Sequence, residues 1–167
     1  MKKPSFINIM LLIAIMVWCL FIIAPPFIAQ SGFLSFDQSK YFYKPFSTIC
    51  HQYENRSFHI FGHKFAVCAR CTGIYFGYFL GTFLVTFVSI KLRYSATTLW
   101  LIAISPMFVD VLFDILRIHY ATLITRFVTG FIFGNLAAII LTPLIIEAFN
   151  NKILQNNILG ANHESKT

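Results

Sequence analysis

The sequence predicts an all-α integral membrane protein with four transmembrane helices and a long Cys/His-containing loop between the first two. Three observations predict it. Of 167 residues, 57% are hydrophobic and only 11% charged, a balance too apolar for an ordinary soluble domain. Four apolar runs, over about residues 6–29, 72–90, 98–116 and 127–149, each come close to or exceed the roughly 20 residues that cross a hydrocarbon core. Between the first two runs lie about 40 residues, 30–71, while the other connections are short; a loop of that length is usually functional.

The first span follows Lys2 and Lys3, as a secretory signal would. It nevertheless runs well past the roughly 7–15 apolar residues of a signal, and Phe27 stands where cleavage after Ala29 would need a small side chain. It is therefore read as a permanent helix, with Cys19 as a small buried apolar residue. The second span carries Gly73, Gly77 and Gly81, and the fourth carries Gly130, Gly134 and Ala138. Small residues four apart let helix backbones approach closely in lipid, so both stripes are read as seams within one chain.

In the third span, below Pro106, Asp110, Asp114 and Arg117 recur at i, i+4 and i+7 and share a helical face. At helical rise Asp110 lies about 10 Å deeper than Arg117. An ionisable group near a helix centre costs roughly 2.5–3.5 kcal/mol on insertion scales, so such groups are paired or functional. Asp114 has Arg117 and Arg126 as candidate partners. The Asn-rich tail, 150–167, reads as frayed, and residues 1–167 form one domain.

Four alternating spans have a consequence independent of insertion direction. The end of span 1, the start of span 2, the end of span 3 and the start of span 4 share one side of the membrane. That side receives the Cys/His loop together with Asp110, Asp114, Arg117, His119 and Arg126. Lys and Arg number seven on that side and six on the other, counted from the sequence, so charge alone does not orient the chain. Lys2 and Lys3 ahead of the first helix place the N-terminus inside and the loop outside the cell membrane. The net charge of +7 is spread over both faces, which suits an anionic lipid surface and not nucleic acid.

Residues 50–71 hold three of the four cysteines and three of the five histidines: Cys50-His51-Gln52, His59, His63 and Cys68-Ala69-Arg70-Cys71. Thiolate and imidazole are the ligands of soft and borderline metals, so Cys50, His51, Cys68 and Cys71 make a candidate zinc or iron site. Adjacent ligands at 50 and 51 are geometrically awkward, and His59 or His63 offers an alternative nitrogen. A structural or redox-active disulfide among the same cysteines is the competing reading. Cys68 and Cys71 fall at the start of a helix, where free N–H groups and the helix dipole stabilise anions, and Arg70 adds a cation. That environment favours thiolate, or equally an anionic group bound by Arg56, Arg70, Gln52 and Thr72. Asp110, Asp114, Arg117 and Arg126 are the catalytic candidates, with the two carboxylates handling protons.

The run Cys50-His51-Gln52, Arg56-Ser57-Phe58 and Val67-Cys68-Ala69-Arg70-Cys71-Thr72-Gly73-Ile74-Tyr75 with Gly77 resembles the signature of the domain of unknown function 2085 family. These are small polytopic prokaryotic membrane proteins. Pro106, Asp110, Asp114, Arg117, Arg126, Thr129, Gly130 and Gly134 are similar to its later pattern, so the resemblance spans about residues 45–140. It implies a polytopic membrane protein and carries no activity with it. No Ser/His/Asp triad, HExxH motif, phosphate-cradling glycine loop or haem-attachment motif is present.

The leading expectation is a metal- or thiol-dependent enzyme acting on a lipid-phase small molecule. The alternatives are a metal-ion transporter or channel component, and a non-catalytic scaffold braced by a disulfide. The lipid bilayer is the expected partner, with a homo-oligomer as a further possibility.

Overall fold

A computed structural model describes residues 5–31, 41–88, 95–118 and 120–164, with side chains through residue 152. Among the described residues four long helices organise the chain: α1 (Phe6–Gln30), α2 (Ala69–Phe87), α3 (Ala96–Ile115) and α4 (Leu123–Glu164). The α1–α2 connection contains two single turns of 3-10 helix, Lys44–Phe46 and Glu54–Arg56, and a small antiparallel hairpin of β1 (His59–Ile60) and β2 (His63–Lys64). Lys2, Lys3, Lys40, Lys91, Arg93, His119 and Lys166 lie outside the described residues, as do 32–40 of the long loop and 89–90 of the second predicted span.

Among the described residues three helical stretches are long and apolar enough to cross a membrane: α1, α3 and Leu123–Lys152 of α4. With 19 residues α2 is long enough but falls outside that set, being diluted by Arg70 and by small and polar residues such as its glycines and threonines. Those same small residues are buried, among them Thr72, Gly73, Gly77, Gly81, Thr82 and Thr86, because α1 and α4 cover them. Large apolar side chains such as Phe6, Leu101, Phe108 and Ile124 instead face outward, the arrangement expected of a lipid-facing surface.

The helix boundaries follow local chemistry. Ser95 Oγ accepts the Thr98 N–H at 3.3 Å and starts α3, and Thr122 Oγ1 accepts the Thr125 N–H at 3.2 Å and starts α4 four residues before residue 127. At its other end α4 continues as helix to Glu164, so the Asn-rich tail adopts backbone order that its polarity did not suggest. No proline follows Pro143, and Gly160 alone does not break the run. At helical rise its 42 residues extend about 60 Å, twice a hydrocarbon core of ~30 Å, so the polar end projects beyond the apolar slab.

Packing sets the helix directions. The Ala66 N–H donates to Ile22 O at 3.0 Å while Cys19 Sγ donates to Tyr75 O at 3.6 Å, so α1 and α2 run antiparallel. Glycines bring α2 and α4 together in parallel. A Cβ on Gly73 would lie 2.1 Å from Phe127 O, one on Gly77 2.1 Å from Phe131 O, and one on Gly134 2.0 Å from Ile74 O. The two stripes are thus one intramolecular seam. An ion pair between Asp114 and Arg126 and a ring contact between Trp100 and Phe133 set α3 antiparallel to α4.

Candidate metal centre

The loop ahead of α2 is held to α1 through a gap that proline creates. Pro26 has no N–H, so Ile22 O has no donor within its own helix, and the Ala66 N–H takes its place. Ile22, Phe46, Cys50, Ala66 and Val67 close into a buried cluster under Trp18, whose ring meets Phe46 at 5.0 Å and Tyr75 at 6.0 Å between centroids. Gln52, at φ +52°, spends both amide hydrogens on the loop, donating to Tyr43 O at 2.8 Å and Ala66 O at 2.7 Å. Lys64 Nζ donates to Gln52 O at 3.0 Å and to Glu54 at 2.9 Å. Lys64, then His59, holds the Glu54 carboxyl below its ordinary value. The hairpin turns on Phe61 (φ +54°) and Gly62 (φ +78°), the two positive angles that a type I′ turn requires.

This bracing delivers Cys50 to the start of α2. Cys50 Sγ accepts the backbone N–H of Cys68 at 3.2 Å and of Gln52 at 3.5 Å, the hydrogen bonds that steady a thiolate. Cys68 occupies the N-cap of α2 and Cys71 its first turn. The sulfurs of Cys50, Cys68 and Cys71 all lie within 4.8 Å of one another and carry no disulfide. Around tetrahedral zinc with Zn–S near 2.3 Å, thiolate sulfurs are roughly 3.8 Å apart, so a small contraction suffices to close on an ion. Contacts from Cys50 and then Cys71, together with the backbone N–H groups of Cys71 and Arg70, hold the Cys68 thiol well below its ordinary value against the opposing effect of burial.

Among the described residues no histidine joins this group. His51 stacks on Tyr53 with centroids 5.7 Å apart, and His59 bonds Glu54 at 3.1 Å. The hairpin pairs His59 with Lys64 and Ile60 with His63, so the i, i+4 spacing does not bring the two imidazoles onto one helical face. A helix at that point is refused by the turn at Phe61-Gly62.

Beside the sulfurs lies a cavity of about 220 Å³, lined by all three cysteines, His51, Gln52, Tyr53, Arg56, Arg70 and Arg126, with Ile49, Ile74 and Met107 completing the wall. Arg70 Nη2 donates to Asp110 Oδ2, and Arg126 Nη2 to Asp114 Oδ2 at 2.9 Å. Arg126 Nε also donates to Ala121 O at 3.1 Å. Asp114 therefore takes Arg126, one of its two sequence candidates, whereas the partner of Asp110 comes from α2. Arg117 lies past the C-cap of α3 at φ +54°, exposed and outside both pairs, because the helix ends before the i+7 relation is completed. Thr72 Oγ1 donates to Cys68 O at 3.1 Å and so caps the chain locally. Sequence reasoning passed over Trp18, Phe46 and Pro26; a proline pair inside an otherwise unbroken apolar run was the available signal for the last.

Fold and site together define a helical membrane protein with a trithiol cluster at one end of its bundle, above two partly buried Asp–Arg pairs. The chain belongs to the family described as "Predicted membrane protein (DUF2085)", which matches residues 50–141 and so contains the whole cluster and both pairs. It is 36% identical over 158 residues to an uncharacterized protein of Methanocaldococcus jannaschii, covering 91% of this chain and 99% of the relative. An uncharacterized protein of Methanothermobacter thermautotrophicus is 39% identical over 90 residues, 51% of this chain and 77% of the relative. No solved structure matches.

Proposed function

We propose that the protein is a four-span membrane enzyme whose Cys50, Cys68 and Cys71 hold one zinc or iron ion at a membrane interface, and that its substrate comes from the lipid phase. One observation carries the reading: sulfurs from two separate segments meet within 4.8 Å on the wall of a cavity that three arginines also line. A structural zinc site is closed by four protein ligands, whereas three ligands beside a cavity match the open arrangement of catalytic sites. A bound ion would supply Lewis-acid polarisation of a group placed against it. Arg56 and Arg70 would orient an anionic part of the substrate, while Asp110 and Asp114 hold Arg70 and Arg126 at the cavity.

A metal-ion transporter would need a polar path leading from the cavity between the helices. Backbones too close for a Cβ close the α2–α4 seam, and Arg70 already engages Asp110. Both facts favour the enzyme. Elemental analysis of detergent-purified protein should find about one zinc or iron per chain, lost in Cys68→Ser and Cys71→Ser together with thermal stability. Metal-free wild-type protein with a quantitative Cys68–Cys71 disulfide would overturn the proposal in favour of a redox or structural role.

The topology is part of the same reading. Packing of α2 against α1 and α4 supports a fourth crossing, and Lys2 and Lys3 ahead of α1 favour the cysteine end outside. Cysteines introduced at exposed Asn55 and Tyr120 should both react with a membrane-impermeant maleimide in intact cells, above the level of the unsubstituted chain. Reaction at one position alone would rule out four spans, and reaction at both only after lysis would reverse the orientation.

A further inference from the structure

We infer that the cavity beside the three sulfurs is a binding site for a phosphate-class oxyanion, gripped by Arg56 and by the free Nε–H of Arg70. Its place beside a metal rests on the reading above, but the anion site itself stands on the arginines.

Three guanidinium groups line the cavity and only two are neutralised: Arg70 by Asp110 and Arg126 by Asp114. Arg56 has no carboxylate partner among the described residues. Its guanidinium carbon lies 5.5 Å from the Tyr53 ring centre, and Asp114 feels its charge only at longer range. Arg70 provides the second, independent sign. While its Nη2 bonds Asp110, its Nε is buried without a hydrogen-bond partner among the described residues. A buried guanidinium donor ordinarily finds an acceptor, so this one lacks a ligand of the right kind.

The chemistry of that ligand follows from where the donors originate. Arg56 ends the 3-10 turn Glu54–Arg56, Arg70 belongs to the first turn of α2 and Arg126 to that of α4, so cationic groups reach the cavity from three separate segments. A tetrahedral anion can present an oxygen to each wall, which a planar carboxylate does less well, and guanidinium forks match phosphate oxygens. A further oxygen would fill the coordination position that three thiolates leave open. The cavity, at about 220 Å³, is below the roughly 300–1,000 Å³ of pockets that enclose drug-sized ligands. It accepts a phosphate group and leaves any lipid chain outside.

Binding of inorganic phosphate, dioctanoyl phosphatidic acid and neutral dioctanoylglycerol to the detergent-purified full chain, measured by calorimetry, tests this. The two phosphates should bind, the neutral lipid should not, and Arg56→Gln should weaken phosphate binding at least tenfold. Arg56 is exposed and outside every described ion pair, so that variant should keep its fold. Lys44→Gln, which removes an equal charge from an exposed position away from the cavity, should leave binding unchanged. Equal affinity for the two phosphates assigns the free anion, and much tighter phosphatidic acid binding assigns a lipid headgroup; both support the site. Absent phosphate binding, an unaffected Arg56→Gln variant, or an equal loss in Lys44→Gln overturns it. Metal content measured on the same samples separates the two readings: metal-free protein that binds phosphate through Arg56 sustains this inference alone, while metal-loaded protein that binds none sustains only the centre.

Discussion

Alanine at Gly77 or Gly134 is expected to break the bundle. The added methyl group would meet Phe131 O at 2.1 Å or Ile74 O at 2.0 Å, distances that no real Cβ contact tolerates. The obstructing atoms are helix backbone, so no side-chain rotation relieves the clash, and α2 must move away from α4 along its length. Overpacking costs typically 1–3 kcal/mol and occasionally more. A seam with five such glycines and no flexible neighbour at the tightest points places both variants at or beyond the top of that range. Leucine at either position should leave no folded protein. Thermal unfolding in detergent, with size-exclusion homogeneity, measures the effect. Gly62→Ala is the comparison, since nothing lies within 4 Å of its Cβ position and its strain at φ +78° is confined to the hairpin turn. Seam variants that unfold at the same temperature as the parent would show that the two helices do not pack at this distance.

Removing the Asp110 charge is expected to destabilise the protein by about 3–5 kcal/mol, the typical consequence of leaving one member of a buried ion pair alone. The side chains of Arg70 and Asp110 retain only 18% and 10% of their exposure, so water replaces the missing partner only in part. Asp110→Asn keeps the shape and deletes the charge. Arg70→Gln should cost a similar amount, and the double variant should recover most of the loss, leaving a coupling energy well above the 0.3–0.5 kcal/mol error of additivity. Thermal stability of the four proteins yields that coupling directly. Additive single effects would dissolve the pair. A stable Asp110→Asn protein that has nevertheless lost activity in cells would instead assign Asp110 to proton handling. Arg117→Gln, by contrast, should be nearly neutral, because Arg117 is exposed and outside both pairs.

How much of this was legible in the chain depends on the range of the interaction. Local signals were sufficient for the helices: apolar runs located all four, with bounds within a few residues except at the end of α4, which continues past 149 to Glu164; the errors came from caps at Ser95 and Thr122 and from the absence of a breaker after Phe149. The glycine stripes were legible as close-packing surfaces because a four-residue spacing of small side chains lets backbones approach in lipid, whether within a chain or between chains. Chain direction alone brought Cys50, Cys68, Cys71, Arg126 and the two aspartates to one end. His51 was a reasonable ligand by residue type and sequence position. Its ring faces Tyr53 because the Gln52 brace turns the backbone between Cys50 and the hairpin.

The sequence by itself determined that this is a helical membrane protein, that its ligand-type residues gather at one end, and that the second and fourth helices each carry a small-residue stripe fit for close packing, since each of these follows from composition, chain direction or spacing within one segment. Tertiary structure alone decided that Asp110 pairs with Arg70, that among the described residues the thiol cluster contains three sulfurs and no imidazole, that Gln52 braces the loop, and that no described residue accepts from Arg70 Nε. Periodicity states which residues share a face of one helix. It is silent on the rotation and register between helices, and here those are set by backbone contacts at Gly73, Gly77 and Gly134 and by the single hydrogen bond that Pro26 leaves open at Ile22.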